Sequence, residues 1–295
     1  VAVVGPGALG RVFAAALARV ARVALVARGE EGARRLRAGY ALRGPDGAES
    51  FVYPEAFAGD DAPDARWAIV LVKGPDTEAA AHTAARLASA GVLSLQNGWV
   101  LERLRAAARG VMADQGATTA AAWRQGEDVV WEAAGHSWLP PGFAELAQMM
   151  TAAGLPAEVS ADIDEARLQK LAVNLLLNPL TAVLRIKNGD VLREPAWRMV
   201  RELAREMTPV LRGRGLSLQE AEVLELTARV ARATADNISS MLADVMAGRP
   251  TEIAEITGVL LSWGGEEGVR LPQHQALYHL VRALEQVDRG QPLQQ

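Results

Sequence analysis

In the stretch "LQKLAVNLLLNPLTAVLR" (168–185), Lys170, Asn174 and Asn178 recur every fourth residue inside an otherwise apolar run. Four residues advance an α-helix by about 400°, so the three side chains share one stripe about 12 Å long that drifts by about 80°. A solvated stripe normally draws on Glu, Arg or Gln, which favour helices, whereas Asn competes with the helical backbone and is a poor interior choice. An amine with two amides suits a desolvated surface where hydrogen-bond direction matters. Partial burial there would lower the pKa of an ammonium toward neutrality. Of the 31 basic residues only Lys73, Lys170 and Lys187 are lysines. A lysine kept inside an apolar segment of so Arg-rich a chain is compatible with a need for an amine that can change protonation state, although drift accounts for three occurrences equally well. Pro179 cannot donate to residue 175, which predicts a bend or an early end to the helix.

A second constellation opens the chain. "VAVVGPGALG" places Gly5, Gly7 and Gly10 in G-x-G-x-x-G spacing, after a β-rich run and before a helical one. In that context Gly5 permits the tight turn, Gly7 lets the backbone approach a pyrophosphate, and Gly10 lets helix and strand pack closely. The backbone at Ala8 and Leu9 opens the helix N-terminus, whose free N–H groups face the anion. A nicotinamide or a flavin dinucleotide fits this turn; an ordinary glycine-rich βα turn is the bland alternative. The next strand, "VALVAR", ends at Arg28, eighteen residues past Gly10. NAD sites place an acid near this position, whereas a guanidinium pairs with a 2′-phosphate and favours NADP. Glu30 and Glu31 follow closely and complicate that choice.

The elements that must hold these residues fall into two patterns. "VAVVG", "RVALVAR", "WAIVLVK" (67–73) and "GVLSLQNG" (91–98) read as buried parallel strands. They are separated or followed by helical runs such as "DTEAAAHTAARLASA" and "VLERLRAAA", and this alternation predicts a parallel sheet with helices on both faces. Residues 109–140 read as strands without intervening helices, an antiparallel extension, and 143–153 as a helix. From about Asp162 the pattern is helical: 162–184, 194–213, 218–232, 236–247, 251–266 and 272–288. The expected architecture is an α/β Rossmann-type domain over 1–160 and a mainly α-helical domain over 161–295. Lys73 and Asn97 end apolar strands at the edge where such sheets bind ligands, although a lysine reaching water and an Asn-Gly turn explain the same residues.

Composition narrows the classes. A net charge of -4 and a pI near 5.7 argue against nucleic acid or an anionic membrane as the main partner. With no cysteine, thiolate nucleophiles, disulfides and Cys-ligated zinc are excluded, and no metal site is expected. No apolar run reaches the roughly 20 residues of a spanning helix, and "VAVVGPGALG" lacks the charged start of a signal peptide, so a cytoplasmic location is expected. The helical half is compatible with a monomer or a homodimer.

Two later segments carry further candidates. Asn237 and Ser240 stand three apart in "DNISSMLADV" and can share a helix face. Glu252 and Glu255 stand three apart in "RPTEIAEITG", early in a helix starting near Pro250, where the helix dipole favours a carboxylate. Capping alone accounts for Asn237 and Glu252 individually.

Taken in order, "GPGALG", "KLAVNLLLNPLTA", the "NG" at 188–189, "DNISSML" and "TEI" closely resemble ketopantoate reductase, over most of the chain. The resemblance implies a Rossmann domain followed by a helical domain, and NADPH-dependent reduction of 2-dehydropantoate to pantoate in pantothenate biosynthesis. It implies that Lys170 is the catalytic lysine and Glu252 the active-site glutamate. Asn97, Asn174, Asn178, Asn237 and Ser240 would meet the substrate. Gly5, Gly7, Ala8, Leu9, Gly10, Arg28, Lys73 and Asn97 would meet NADPH or NADP+. The segment "VVWEAAGHSWLPPG", with Trp131 and Trp138, departs from the family pattern. It keeps open a related NAD(P)-dependent reductase of another 2-keto or 3-hydroxy acid; a nucleotide-binding sensor without turnover is the third reading.

Overall fold

The computed structural model describes residues 1–287. They form two units, Val1–Gln96 with Val100–Ile163, and Asn97–Trp99 with the residues from Asp164 onward.

In chain order the first unit runs β1 (Ala2–Val4), α1 (Ala8–Leu17), β2 (Ala24–Ala27), α2 (Glu30–Arg37), β3 (Tyr40–Arg43), β4 (Glu49–Val52) and β5 (Ala56–Ala58). It continues with β6 (Ala65–Val70), α3 (Thr77–Leu87), β7 (Ala88–Ser94), α4 (Leu101–Ala107), β8 (Ala113–Gln115) and β9 (Ala117–Thr118). The last elements are β10 (Ala121–Gln125), β11 (Asp128–Ala133), β12 (Ser137–Leu139), α5 (Ala144–Ala152) and β13 (Ala157–Val159).

The main sheet has the order β5-β2-β1-β6-β7-β8 and is parallel throughout. Chain order therefore reverses between β1 and β6, the switch point at which doubly wound sheets open a crevice beyond their carboxyl ends. Both faces are covered. Val3, Leu25, Ile69 and Leu93 pack with Phe13 and Leu17 of α1 and Leu146 of α5. Their neighbours Val4, Val26, Val70 and Val92 pack with Ala81 and Leu87 of α3 and Leu104 of α4. This two-sided burial is why the strands read as continuous apolar runs rather than alternating ones.

Two smaller sheets complete the unit, β10-β11-β3-β4 and β13-β12-β9. The expectation for 109–140 is met by the antiparallel pairs β10–β11 and β12–β9 but not by β8, which pairs parallel with β7. Ala88–Ala90, expected to end a helix, instead begin β7. Small residues serve both states, and here pairing to β6 decides.

The second unit contains α6 (Ile163–Leu184), α7 (Ala196–Gly213), α8 (Glu220–Ala233), α9 (Ser240–Met246), a π turn (Ala254–Gly258) leading into α10 (Val259–Glu267), and α11 (Pro272–Val287). Position 288, expected to end the last helix, lies outside the described residues. Leu171, Leu175, Leu176 and Leu180 of α6 are buried against Leu203 and Met207 of α7, Val223 of α8, Leu260 of α10 and Val281 of α11. A helix enclosed on most sides this way explains the continuous greasiness of its sequence. Pro179 neither ends α6 nor stops it short of Leu184. Packing of the flanking leucines outweighs the roughly 3 kcal/mol cost of a proline inside a helix. Among the described residues no helix is long and apolar enough to cross a membrane, and no cluster of three or more His, Asp or Glu could hold a metal ion.

One buried cation ties the glycine turn to its surroundings. Arg11 of α1 donates from Nε to the Pro6 carbonyl at 3.1 Å and from Nη2 to Glu127 Oε2 at 2.7 Å, with Nη1 on the Glu127 carbonyl. Its guanidinium lies over the ring of Tyr40, whose hydroxyl donates to the Arg11 carbonyl at 2.8 Å. The Arg11 hydrogen bond holds the Glu127 carboxyl below the usual carboxylate range. The carboxylate's contribution is thus present above that range and fades as pH falls through the lowered value. Arg11→Met is expected to cost about 2 kcal/mol, because two carbonyls lose a donor. The shift in urea midpoint measures it, and a midpoint equal to wild type would show that the arginine does not brace the turn.

Candidate active site

Gly5 and Gly10 meet the steric requirements read from the spacing of the turn. Gly5 has φ +111°, and a Cβ there would lie 2.7 Å from Val72 Cγ1 and 2.8 Å from the Leu71 backbone. A Cβ on Gly10 would overlap the Gly5 carbonyl oxygen. Gly7 differs: its φ is -66°, and the nearest atom to a Cβ would be the Leu71 carbonyl at 3.9 Å. The fold itself does not require a glycine there, so the open space in front of Gly7 suits the approach of a ligand. Helix α1 starts just beyond, with Gly7 at the N-cap, no side-chain cap and no acid in its first turn. Ala8 and Leu9 thus present the N-terminus of α1 with its partial positive charge, a setting that fits a pyrophosphate.

Arg28 follows β2 and is exposed, and its guanidinium pairs with Asp76 at 2.6 Å. Glu30 and Glu31 are occupied within α2, by Arg37 and Arg35. Neither acid need take the ribose-binding role that their position suggested. Lys73 is half-buried at the N-cap of the short 3-10 turn Gly74–Asp76, and its carbonyl accepts from Asp76 N at 2.9 Å.

In the second unit the structure brings three sequence candidates together. Lys170 Nζ donates to Asn97 Oδ1 at 2.9 Å, and Asn97 Nδ2 donates to Glu252 Oε2 at 3.1 Å. The amide orientation follows from chemistry, since an ammonium only donates and a carboxylate only accepts. Burial pulls the Lys170 amine down from 10.5 to about 8, with the Glu252 carboxylate pushing the other way. An amine so tuned changes protonation near neutral pH.

Each partner is placed by backbone. Asn97 sits in a three-residue loop seated on the π turn, where Trp99 N donates to the Glu255 carbonyl at 2.8 Å. Gly98 has φ +72°, and a Cβ would come within 2.5 Å of that same carbonyl oxygen, so only glycine allows the seat. The Trp99 ring meets Trp263 edge-on at 5.1 Å, and Arg214 covers Trp263 at 5.1 Å. π turns interrupt the regular ladder and recur at functional sites. Glu252 is not inside a helix beginning near Pro250: helical geometry begins at Ile253, and the Glu252 carbonyl accepts from Ile256 N at 3.1 Å. Its side chain is almost fully buried.

Family-model matches cover most of the chain. The model described as ketopantoate reductase PanE/ApbA matches residues 1–142, and the one for the C-terminal region of the same family matches residues 162–285. A 2-dehydropantoate 2-reductase of Archaeoglobus fulgidus is 34% identical, over 97% of each chain. The chain belongs to the ketopantoate reductase family. A ketopantoate reductase structure from Ralstonia eutropha is 27% identical, covers 98% of this chain and 100% of its own, and superposes with a TM-score of 0.83. D-mandelate dehydrogenase, solved with NADH and anilino(oxo)acetate, reaches a TM-score of 0.88 at 22% identity, over 98% of this chain and 100% of its own, a likeness of fold.

The remaining polar candidates of this ketopantoate reductase family member are arranged differently from expectation. Asn174 is half-buried and Asn178 buried on α6, and among the described residues neither amide has a side-chain partner. Asn237 and Ser240 do not share a helix face, because α9 begins only at Ser240. Asn237 lies in the preceding loop, its carbonyl accepting from Asn188 N at 3.0 Å. Ser240 is exposed in the first turn, while its neighbour Ser239 is the buried N-cap, 3.1 Å from Leu242 N and 2.7 Å from Thr181 Oγ1. Of two adjacent serines, an N-cap preference does not tell which one caps. The "NG" at 188–189 fastens this loop, with Gly189 N on the Ala235 carbonyl at 3.1 Å. Trp131 and Trp138, in the segment that departs from the family pattern, belong to β11 and β12 of the first unit.

The glycines yield a paired prediction. Gly10→Ala is expected to lower the melting temperature by at least about 5 °C, since the clash is with backbone. Gly7→Ala is expected to melt like wild type yet to weaken dinucleotide binding about tenfold or more, because the new methyl occupies the space of the ligand. Scanning calorimetry and a fluorescence titration with NADPH separate the two; unaltered nucleotide affinity in Gly7→Ala would remove the turn from the binding site.

Proposed function

We propose that the protein reduces 2-dehydropantoate to pantoate with NADPH, a step of pantothenate biosynthesis. The observation carrying this reading is the chain of hydrogen bonds from Lys170 through Asn97 to Glu252, set around an amine whose pKa burial has brought to about 8. Family membership and the A. fulgidus relative support the substrate. A dinucleotide would lie on Gly5, Gly7, Ala8, Leu9 and Gly10, with Arg28 and Lys73 toward the 2′-phosphate; when bound, its reduced nicotinamide supplies the hydride.

The chain's own residues handle charge and proton. The keto oxygen gains negative charge as its carbon is reduced, and the Lys170 ammonium stabilises that charge and transfers a proton to it. Asn97 takes one of the three N–H bonds of Lys170 and so directs the other two. Glu252 keeps the ammonium charged at neutral pH despite burial. Asn174, Asn178, Asn237 and Ser240 are assigned to the carboxylate and hydroxyl ends of the substrate.

The test follows NADPH absorbance with 2-dehydropantoate beside other 2-keto acids, aryl-substituted ones included. Highest kcat/KM on 2-dehydropantoate is expected; a marked preference for another acid would transfer the same machinery to a related reductase, and NADPH binding without turnover on any acid would favour a sensor. Lys170→Ala is expected to lose at least about a hundredfold in kcat, the range of a lost general acid. Because the protonated amine is the active form, kcat should fall as pH rises through about 8. Glu252→Gln removes the charge that raises this pKa, so its falling limb should move to lower pH.

Cofactor choice rests on Arg28. Arg28→Ala is expected to weaken NADPH about tenfold while leaving NADH almost unchanged, since only the former offers a 2′-phosphate for a charge-assisted bond. Equal losses for both dinucleotides would argue against a 2′-phosphate at this position.

A further inference from the structure

One buried carboxylate of the second unit has no part in the chemistry above. Glu285, in the last turns of α11, has a side chain only 4% exposed, and it is aimed at the segment that carries Glu252. Its Oε1 accepts from Thr251 N and from Thr251 Oγ1, both at 2.7 Å. Its Oε2 accepts from Arg282 Nη1 at 2.8 Å, one turn back on the same helix. Thr251 Oγ1 in turn lies 3.3 Å from Ile253 N, the first helical residue after Glu252. Thr251 is thus gripped at its backbone and its hydroxyl, and the residues on both sides of Glu252 are tied into one hydrogen-bonded set.

Such an arrangement is costly unless it fixes something. A carboxylate taken out of water must recover its hydration from hydrogen bonds, and Glu285 does so with two donors from Thr251 and one guanidinium. A helix N-terminus could be capped by the threonine hydroxyl alone, so a buried charge from another helix exceeds what capping needs. The grip acts on the backbone immediately before Glu252, whose side chain must meet Asn97 at 3.1 Å. Freedom at Thr251 would become freedom of the Glu252 carboxylate, and small displacements of catalytic groups are expensive.

We infer that Glu285 is a positioning residue for Glu252: by holding Thr251 at two points it sets where the Glu252 carboxylate stands against Asn97 and Lys170. This rests on the proposed function only for its kinetic consequence; the positional claim concerns the folded chain alone. The Glu252 carboxylate raises the Lys170 pKa against the effect of burial, so the ionisation of Lys170 reports where that carboxylate is. Glu285 itself meets Thr251 and Arg282.

The chain's three lysines make the report direct. Protein labelled with lysine carrying 13C at Cε gives three side-chain signals, and Lys170→Arg identifies the one that matters. In Glu285→Ala the Lys170 pKa should fall by about one unit, a tenfold loss of proton affinity, because a displaced carboxylate supports the ammonium less. Glu285→Gln keeps an acceptor for Thr251 and should leave Lys170 near its wild-type value, which separates positioning from the mere loss of a negative charge. Thr251→Val tests the same grip from the other side should Glu285→Ala fail to fold, and an intermediate fall is expected. Turnover should drop about tenfold in kcat in Glu285→Ala, with little change in KM for NADPH. An unmoved Lys170 signal in folded Glu285→Ala or Thr251→Val, or equal shifts in the Ala and Gln variants of Glu285, overturns the inference. If wild type itself reduces no keto acid, the proposed function falls while the lysine titration still decides the role of Glu285.

Discussion

The burial of one ammonium group governs the helical unit. Lys170 is half-buried where α6 is packed among other helices, and desolvation of its amine is offset by a carboxylate and an amide. Everything else that is polar nearby can be understood as support for that compromise. The loop bearing Asn97 is seated on a carbonyl of the π turn. Glu252 sits where the chain enters that turn, and Trp99 of the same loop meets Trp263 edge-on, with Arg214 over the Trp263 ring. A charge in low dielectric interacts strongly with whatever remains near it, so modest changes in those supports should register as changes in proton affinity.

The first unit solves a simpler problem by backbone alone. The features proposed to face a dinucleotide are a glycine turn, an uncapped helix N-terminus and two strand ends, none of which needs a shifted pKa. Arg11 is the exception, a buried cation that spends its donors on the carbonyls of Pro6 and Glu127 and so stiffens the turn from behind. Gly5 and Gly10 are demanded by the protein's own packing, whereas Gly7 is demanded by nothing within it. That contrast says more about binding than the spacing of the three glycines does.

How much of this could be read from residue order depends on how local each cause is. The buried parallel strands were legible because two-sided burial writes itself as unbroken apolar runs. Strands β3 and β4, partly exposed, and β5, only three residues long, lie among Gly and Pro between 40 and 58 and carry no such signal. Spacing showed that Lys170, Asn174 and Asn178 share a face, but it could not show that Asn97, seventy-three residues earlier, accepts from that lysine. Residue order expects a helix from 236, whereas α9 begins at Ser240 behind the Ser239 cap, and the adjacent serines 239 and 240 look equally able to cap. Glu285 was invisible for a different reason: in sequence it is one more acid on an amphipathic helix, and only folding removes it from water.

The membership of Asn97–Trp99 in the helical unit bears on how divisible this protein is. Cutting the chain between 163 and 164 would look natural on a linear map, yet the helical piece would lose the amide that links its lysine to its glutamate. It would also leave the Glu255 carbonyl without Trp99 N and Trp263 without its neighbouring ring. The polar centre is therefore not a possession of either stretch of sequence. Recombination or domain grafting among relatives could preserve every helix and still mismatch this centre, unless the tripeptide travelled with the helices it rests on.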